Sequence, residues 1–330
     1  MARLLPRFCV GKKMIGWVLL VALCVATGCA LNIQLAPRVA AFEETVLSGE
    51  GDDKVLMIDI QGTISDRQKK SPLGSTVELG LVERTREMLE RAEKDPSIKA
   101  LWLRINSPGG TVTSSDMIYH DLKIFKEKRK IKIYVSFMDL AASGGYYIAM
   151  AGDTIFAHPT SLTGSIGVIA MKPNLQGLMG KVGVDMEVVK SGEKKDFLSP
   201  FRPLTEVERN MFQATIDEYH LRFVQIITEN RPGLDLAAVK GLADGRVFTA
   251  QQALKSRLID RIGYLEDALA LIKKELNVSK VKVVTYHRPG EYKTNLYSST
   301  NLPPIMQWIN LDLDSLLPAT GPQFLYLWSP

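Results

Sequence analysis

The chain has 330 residues, 46% hydrophobic and 23% charged, enough to bury a substantial core. Its net charge of +5 is largely local, because Arg3, Arg7, Lys12 and Lys13 stand in residues 1–28 without a single acid and the remainder is near neutral. That balance describes a basic leader, not a nucleic-acid surface, and the absence of zinc-ligand spacing, a Walker loop or a Rossmann glycine fingerprint gives no reason to expect a metal or cofactor.

The leader comes first along the chain. Positive residues from Arg3 to Lys13 precede an apolar run from Met14 to Ala26, short for a membrane span and suited to a signal-peptide core. The run ends at Val25-Ala26-Thr27-Gly28-Cys29. A small residue followed by cysteine resembles the processing site of bacterial lipoproteins, which makes Cys29 a candidate lipidation site; an uncleaved signal anchor is the alternative. Either outcome holds the body at a membrane on the non-cytoplasmic side. The other cysteines, Cys9 and Cys24, also lie in the leader, so the thiol-free body excludes a disulfide framework and a cysteine protease. The expected organisation is a leader over 1–28, a linker over 29–50 without a strong pattern, a catalytic domain over 51–285 and a tail over 286–330.

The body reads as α/β. Val55 to Ile60 is a predicted strand, Pro72 to Thr76 a loop, and Val82 to Ala92 a helix closing near Asp95-Pro96. Leu101 to Ile105 is a short buried strand that runs through Asn106-Ser107-Pro108-Gly109-Gly110 into a helix over Thr113 to Lys128. Ile131 to Val135 is the next strand, leading to Ser143. Gly144 to Met150 is an apolar helix and Thr154 to Ala157 another strand. Leu175 to Lys181 and Asp185 to Val189 continue the helix–strand alternation. A long helix is predicted from Thr205 to Glu229, with Glu208 at capping-box spacing from Thr205. This rhythm argues for repeated right-handed crossover units, which suit more than one parallel-sheet fold. Beyond it, His287 to Ser299 is polar and loop-like. Phe324-Leu325-Tyr326-Leu327-Trp328 is an apolar cluster that requires cover, from the body, a neighbouring subunit, a substrate groove or lipid.

Chemistry concentrates at Ala141-Ala142-Ser143-Gly144-Gly145-Tyr146-Tyr147. A serine among small residues, ahead of two glycines and an apolar helix, is what a nucleophile at a strand-to-helix turn requires. By itself Ser-Gly-Gly is more often a plain turn. Gly109-Gly110 before a helix is likewise an ordinary βα turn unless its N–H groups serve an anion. The serine needs a base, and none of His120, His158, His220 and His287 has surroundings that suggest a triad. A lysine stripped of water can be neutral near pH 7 and accept the serine proton. Lys190, Lys194 and Lys195, in a polar loop otherwise readable as a solvated surface, are the candidates.

The segments Ala141 to Tyr147, Pro159 to Val168, Lys190-Ser191-Gly192 with Lys195-Asp196, and Asp244-Gly245-Arg246-Val247-Phe248 resemble the bacterial signal peptide peptidase family in its short, single-repeat form. The resemblance covers roughly residues 54 to 270. It implies a Clp protease/crotonase-like α/β fold built as a repeated ββα spiral, here behind an N-terminal membrane leader. It implies Ser143 as nucleophile, Lys195 as base, Ser165 as the residue orienting that lysine, and the N–H groups of Gly110 and Gly144 as the oxyanion hole. It further implies a homo-oligomeric ring with sites shared between subunits, and substrates that are signal peptides left in the membrane. Two rival classes are a crotonase-type acyl-CoA enzyme and a non-catalytic membrane scaffold.

Overall fold

The computed structural model describes residues 40–70, 77–289, 291, 293–298 and 324–328. The chain divides into two units, one of residues 1–39 and 70–77 and the other of residues 40–69 and 78–330. Only Lys70 and Val77 of the first unit are described, so the leader, Cys29 and the loop from Pro72 to Thr76 lie outside the described residues. Among the described residues no helix is long and apolar enough to cross a membrane.

The second unit is built on one large sheet. In chain order its elements are β1 (Glu43–Ser48), β2 (Lys54–Gln61), α1 (Leu81–Glu93), β3 (Ile98–Ser107), β4 (Gly109–Thr111), α2 (Val112–Arg129), β5 (Lys132–Ala142), α3 (Gly144–Ala149), β6 (Thr154–Ala157), β7 (Leu162–Gly164), β8 (Ile169–Ala170), α4 (Gln176–Val182), α5 (Glu206–Asn230), α6 (Leu236–Leu242), β9 (Val247–Thr249), α7 (Ala250–Lys255), β10 (Arg261–Ile262), α8 (Leu265–Leu276), β11 (Lys282–His287) and β12 (Phe324–Leu327). The sheet runs β1-β11-β2-β3-β5-β6-β10, with β7 paired to the far end of β5 and β9 to β7. A smaller sheet has the order β8-β12-β4.

The neighbours β11, β2, β3, β5, β6 and β10 are parallel, and helices connect successive strands. A parallel sheet covered on both faces needs strands that are apolar at nearly every position. β2 and β3 meet that demand. Leu56, Ile58, Leu101 and Leu103 pack on one face with Ile118 and Leu122 of α2 and Phe223 and Ile227 of α5. Val55, Met57 and Trp102 pack on the other with Ala268 and Ile272 of α8. The polar exceptions are matched. Asp59 lies opposite Arg104 across β2 and β3, and Arg104 grips it with two hydrogen bonds of 2.7 and 2.8 Å. Lys293 completes this nearly dry cluster on Asp59. A buried carboxylate held by two cations is stable there only because every partner is in place.

Two expectations change. Glu43–Ser48, inside the predicted linker, is an edge strand antiparallel to β11. Only Leu47 in it is buried, so a single apolar contact left no periodic signal to read. Residues 185–189 form no strand, although Val184, Met186 and Val188 alternate with Asp185 and Glu187 as a half-buried strand would. The alternation is real, but nothing in the described chain pairs with it, and Val184, Met186 and Val188 are about half exposed. By contrast, the predicted cap is present: Thr205 accepts from Glu208 N–H, and the Glu208 carboxylate accepts from Thr205 N–H at 3.0 Å.

Candidate active site

Ser143 stands between the end of β5 and the start of α3, with φ 54° and ψ −116°. A non-glycine residue in that region carries strain of about 1–3 kcal/mol, held only when its surroundings over-determine it. Here they do. Ser143 N–H donates to Gly164 O at 2.7 Å, and Tyr147 N–H donates to Ser143 O at 2.9 Å. The side chain is 1% exposed, and its Oγ has no hydrogen-bond partner among the described residues. A buried hydroxyl without a partner costs free energy and calls for an explanation, and a functional role is one.

Two glycine backbones come close together at this turn. Gly110 is crossed by Ile64, and a side-chain carbon there would overlap the Ile64 carbonyl. The same carbon on Gly144 would overlap Ser115 Oγ and stand 3.2 Å from Gly110 N. The two N–H groups assigned from sequence to an oxyanion are thus brought together, and both positions exclude a larger residue. Ser115 serves as a wedge: it donates to Thr111 O at 2.9 Å and sets the distance between α2 and the serine turn.

Ser165 follows directly on the Gly164 carbonyl that binds Ser143. It is buried, with φ 48°. Its N–H donates to Arg246 O at 2.8 Å, while Gly245 N–H donates to Ile166 O at 3.1 Å. The Asp244 to Phe248 motif therefore has a local reason: it clamps the turn that carries Ser165, continued by the β9–β7 ladder.

Lys195 lies on an exposed turn, where its N–H donates to Gly192 O at 3.0 Å. Within one chain, no hydrogen bond among the described residues joins it to Ser143 or Ser165. The loop around it is nonetheless fixed. Asp196 accepts from Arg202 at 2.8 and 2.9 Å and from Lys190 at 2.6 Å. Arg202 also reaches the Glu208 carboxylate at 2.7 and 2.8 Å. The Arg202 hydrogen bonds hold the Glu208 carboxyl at about 2, and those of Arg202 and Lys190 hold Asp196 well below the usual carboxylate range. Sequence reading found Glu208 as a cap but missed its second role; the i, i+6 spacing of Asp196, Arg202 and Glu208 was the only signal.

Three of the four histidines are occupied elsewhere: His158 bonds Thr160, His220 the Ala243 carbonyl and His287 Thr45. Among the described residues no group of three or more His, Cys, Asp or Glu is placed to hold a metal.

A strained, buried serine whose hydroxyl has no partner among the described residues, at the end of an interior strand of a parallel α/β sheet, has the placement a hydrolase nucleophile needs. The family model for Clp protease matches residues 58–163, and that for peptidase family S49 matches residues 125–279. A protein of Enterococcus faecium assigned as the signal peptide peptidase SppA is 38% identical over 256 residues, 74% of this chain and 70% of its own. A Synechocystis protein assigned as a protease is 40% identical over 72% of this chain and 80% of its own. The chloroplastic serine protease SPPA of Arabidopsis thaliana is 32% identical over 78% of this chain and 37% of its own. A ClpP1 variant from Listeria monocytogenes superposes with a TM-score of 0.42 at 18% identity, over 64% of this chain and 94% of that one. The chain belongs to peptidase family S49. It is a serine protease with a Clp protease-like α/β fold, which sets aside the acyl-CoA enzyme and the inert scaffold.

Proposed function

We propose that the chain is a membrane-held endopeptidase that degrades signal peptides left after their release from preproteins, using Ser143 and Lys195 and no cofactor. The observation that carries this reading is the unpartnered Ser143 Oγ, buried at a strained turn beside the Gly110 and Gly144 N–H groups. Ser143 Oγ attacks the scissile carbonyl as neutral Lys195 takes its proton. The oxyanion forms on the two glycine N–H groups. Lys195 then protonates the leaving amine, and water cleaves the acyl-enzyme. Loss of one oxyanion donor typically costs about 100- to 1000-fold in rate.

The lysine of each site comes from a neighbouring copy in a homo-oligomeric ring. Supporting this, Lys195 is exposed in the single chain and makes no hydrogen bond there to Ser143 or Ser165. α4 buries no residue of its own: Leu178 and Val182 in it, and Met186 and Val189 after it, stand exposed. A monomeric surface rarely leaves such a stretch uncovered. The leader holds the catalytic body on the non-cytoplasmic face, with Cys29 as the candidate lipid attachment.

Full-length protein in detergent should cleave a synthetic signal peptide, and a fluorophosphonate should label Ser143. Ser143→Ala and Lys195→Ala should each abolish cleavage. Undiminished cleavage by either variant would remove the dyad.

A further inference from the structure

Ser107 ends β3 and is wholly buried. A buried hydroxyl has to find partners, and this one has two. Its Oγ donates to Gly62 O at 2.6 Å and accepts from Gly109 N–H at 3.1 Å. With its proton given to one group and a lone pair to the other, the hydroxyl has a single orientation. The backbone of Ser107 reaches a third segment. Ser107 lies opposite Ala141 of β5, and a side-chain carbon on Gly145 would stand 3.1 Å from Ser107 O and 3.5 Å from its Cβ. One small residue thus touches the turn after β2, the start of β4 and the start of α3.

The two bonds matter because of what they hold. Gly109 has φ 103°. Glycine resists rotation less than any other residue, so such a conformation has to be fixed from outside. On one side Ser107 Oγ holds the Gly109 N–H. On the other the Gly109 carbonyl accepts from Ile64 N–H at 2.8 Å, and Thr111 N–H donates to Ile64 O at 2.9 Å. The Gly109 carbonyl and the Gly110 N–H belong to one planar trans peptide and point in opposite directions. Fixing that carbonyl on Ile64 therefore aims the Gly110 N–H away from Ile64. Ile64 keeps its place only if its own turn is anchored. Gly62, two residues before it, has φ 71° and open space around it. Its N–H donates to Asn106 O at 3.0 Å, and its carbonyl is the one that Ser107 Oγ binds.

We propose that Ser107 is a positioning residue for peptide cleavage: its hydroxyl cross-ties the Gly62 turn to Gly109 and so sets the direction of the Gly110 N–H. The proposal rests on the reading of Ser143 as nucleophile and of the Gly110 N–H as a donor to its oxyanion. Ser107 does not meet the substrate and acts through Ile64 and Gly109. A hydroxyl with a purely structural task is satisfied by one carbonyl, as Thr285 Oγ1 is by Met57 O at 3.0 Å. Ser107 instead bonds both segments that bracket the donor.

The test uses the full chain in detergent and compares Ser107→Ala, Ser107→Cys, Thr285→Val and Ser143→Ala with wild type. Cleavage of a quenched signal-peptide substrate gives kcat and KM. A peptide aldehyde gives a Ki for the tetrahedral adduct, whose oxyanion needs the same donors, and thermal melts give Tm. Ser107→Ala should lower kcat by about 10- to 100-fold, since small misplacements of a catalytic group are that costly. KM should stay near its wild-type value, because the donor serves the transition state. The aldehyde Ki should rise by the factor by which kcat/KM falls. Thr285→Val loses a buried bond of the same kind in β11, so it should melt as early as Ser107→Ala and keep full activity. Ser107→Cys keeps a weaker donor and acceptor and should fall between wild type and Ser107→Ala. It carries the test alone if Ser107→Ala does not fold, and a wild-type kcat and Ki in it then overturn the proposal. A wild-type kcat in Ser107→Ala, a rise in KM with kcat unchanged, or an equal loss of activity in Thr285→Val overturns the proposal and leaves the nucleophile reading standing. Cleavage that survives in Ser143→Ala removes the nucleophile and the proposal with it.

Discussion

Ser143 donates its N–H to Gly164 O at 2.7 Å, and this one bond ties the serine turn to the turn carrying Ser165. The two turns come from adjacent strands, with Ala142 opposite Gly164 in the β5–β7 ladder. Their spacing is therefore set by sheet geometry and does not depend on a mobile loop. Ser165 is fixed in turn by Arg246 from a third segment.

The Ser143 site stores free energy that its function uses, so removing the hydroxyl should not weaken the fold. An unpartnered buried hydroxyl costs about 1–3 kcal/mol. Ser143→Ala keeps the backbone and deletes that hydroxyl. Its Tm should equal or exceed that of wild type while activity disappears, as expected where stability and activity trade off. A clear fall in Tm by calorimetry would show that Oγ has a structural partner.

The glycines make separable predictions. A methyl group at Gly110 meets the backbone carbonyl of Ile64, which cannot rotate away, so Gly110→Ala should cost about 1–3 kcal/mol as overpacking and remove activity. At Gly144 the first obstacle is a side chain, Ser115 Oγ. Ser115→Ala combined with Gly144→Ala should therefore recover part of the stability lost in Gly144→Ala alone, whereas Ser115→Ala should do nothing for Gly110→Ala. Thermal melts of the set of variants decide the matter, and additive losses at Ser115 and Gly144 would refute the contact.

The sequence made the local parts of this site legible and hid the long-range ones. Ser143, Gly144 and Gly145 are contiguous, and Thr205 with Glu208 is a four-residue signature, so both could be read directly. The strands over residues 55–60 and 101–105 were visible because burial on two faces leaves an unbroken apolar run. Arg202 was invisible as an anchor because its partners Asp196 and Glu208 each lie six residues away on different elements. The tail gave composition but no address: five large apolar residues demand cover, yet only the fold reveals that Gly109–Thr111 provides it. Val184 to Val188 shows the converse, a strand pattern without a strand partner among the described residues.

Arg202 should control how firmly the Lys195 loop is held. It binds Asp196 and Glu208 at once, and both carboxyls lie below their ordinary values chiefly because of those bonds. A depressed carboxyl contributes anchorage that is fully present above its unfolded value and lost as pH falls through its folded one. For Glu208 that window runs from 4.5 down to about 2. Hydrogen exchange over residues 190–203 should therefore stay protected at pH 5 and speed up only toward pH 2. Arg202→Ala should lose the protection at every pH and reduce kcat/KM by roughly 10- to 100-fold, since small misplacements of a catalytic group are that costly. Arg202→Lys, with one point charge in place of a fork, should fall between. A wild-type exchange pattern in Arg202→Ala would mean that the loop is held by something else.

The shared-site reading makes the most demanding prediction. Ser143 and Lys195 are not joined within one chain, so two inactive variants can complement each other only across an interface. Ser143→Ala chains mixed with Lys195→Ala chains should regain activity, because some sites then pair an intact serine from one copy with an intact lysine from the next. In an equal random mixture about a quarter of the sites should be complete if each site draws on two chains, given that each intact donor is present at half. Activity should follow that fraction as the mixing ratio changes. Native mass spectrometry confirms that mixed assemblies have formed. Mixed assemblies that remain inactive at every ratio would place both groups of each site on the same chain.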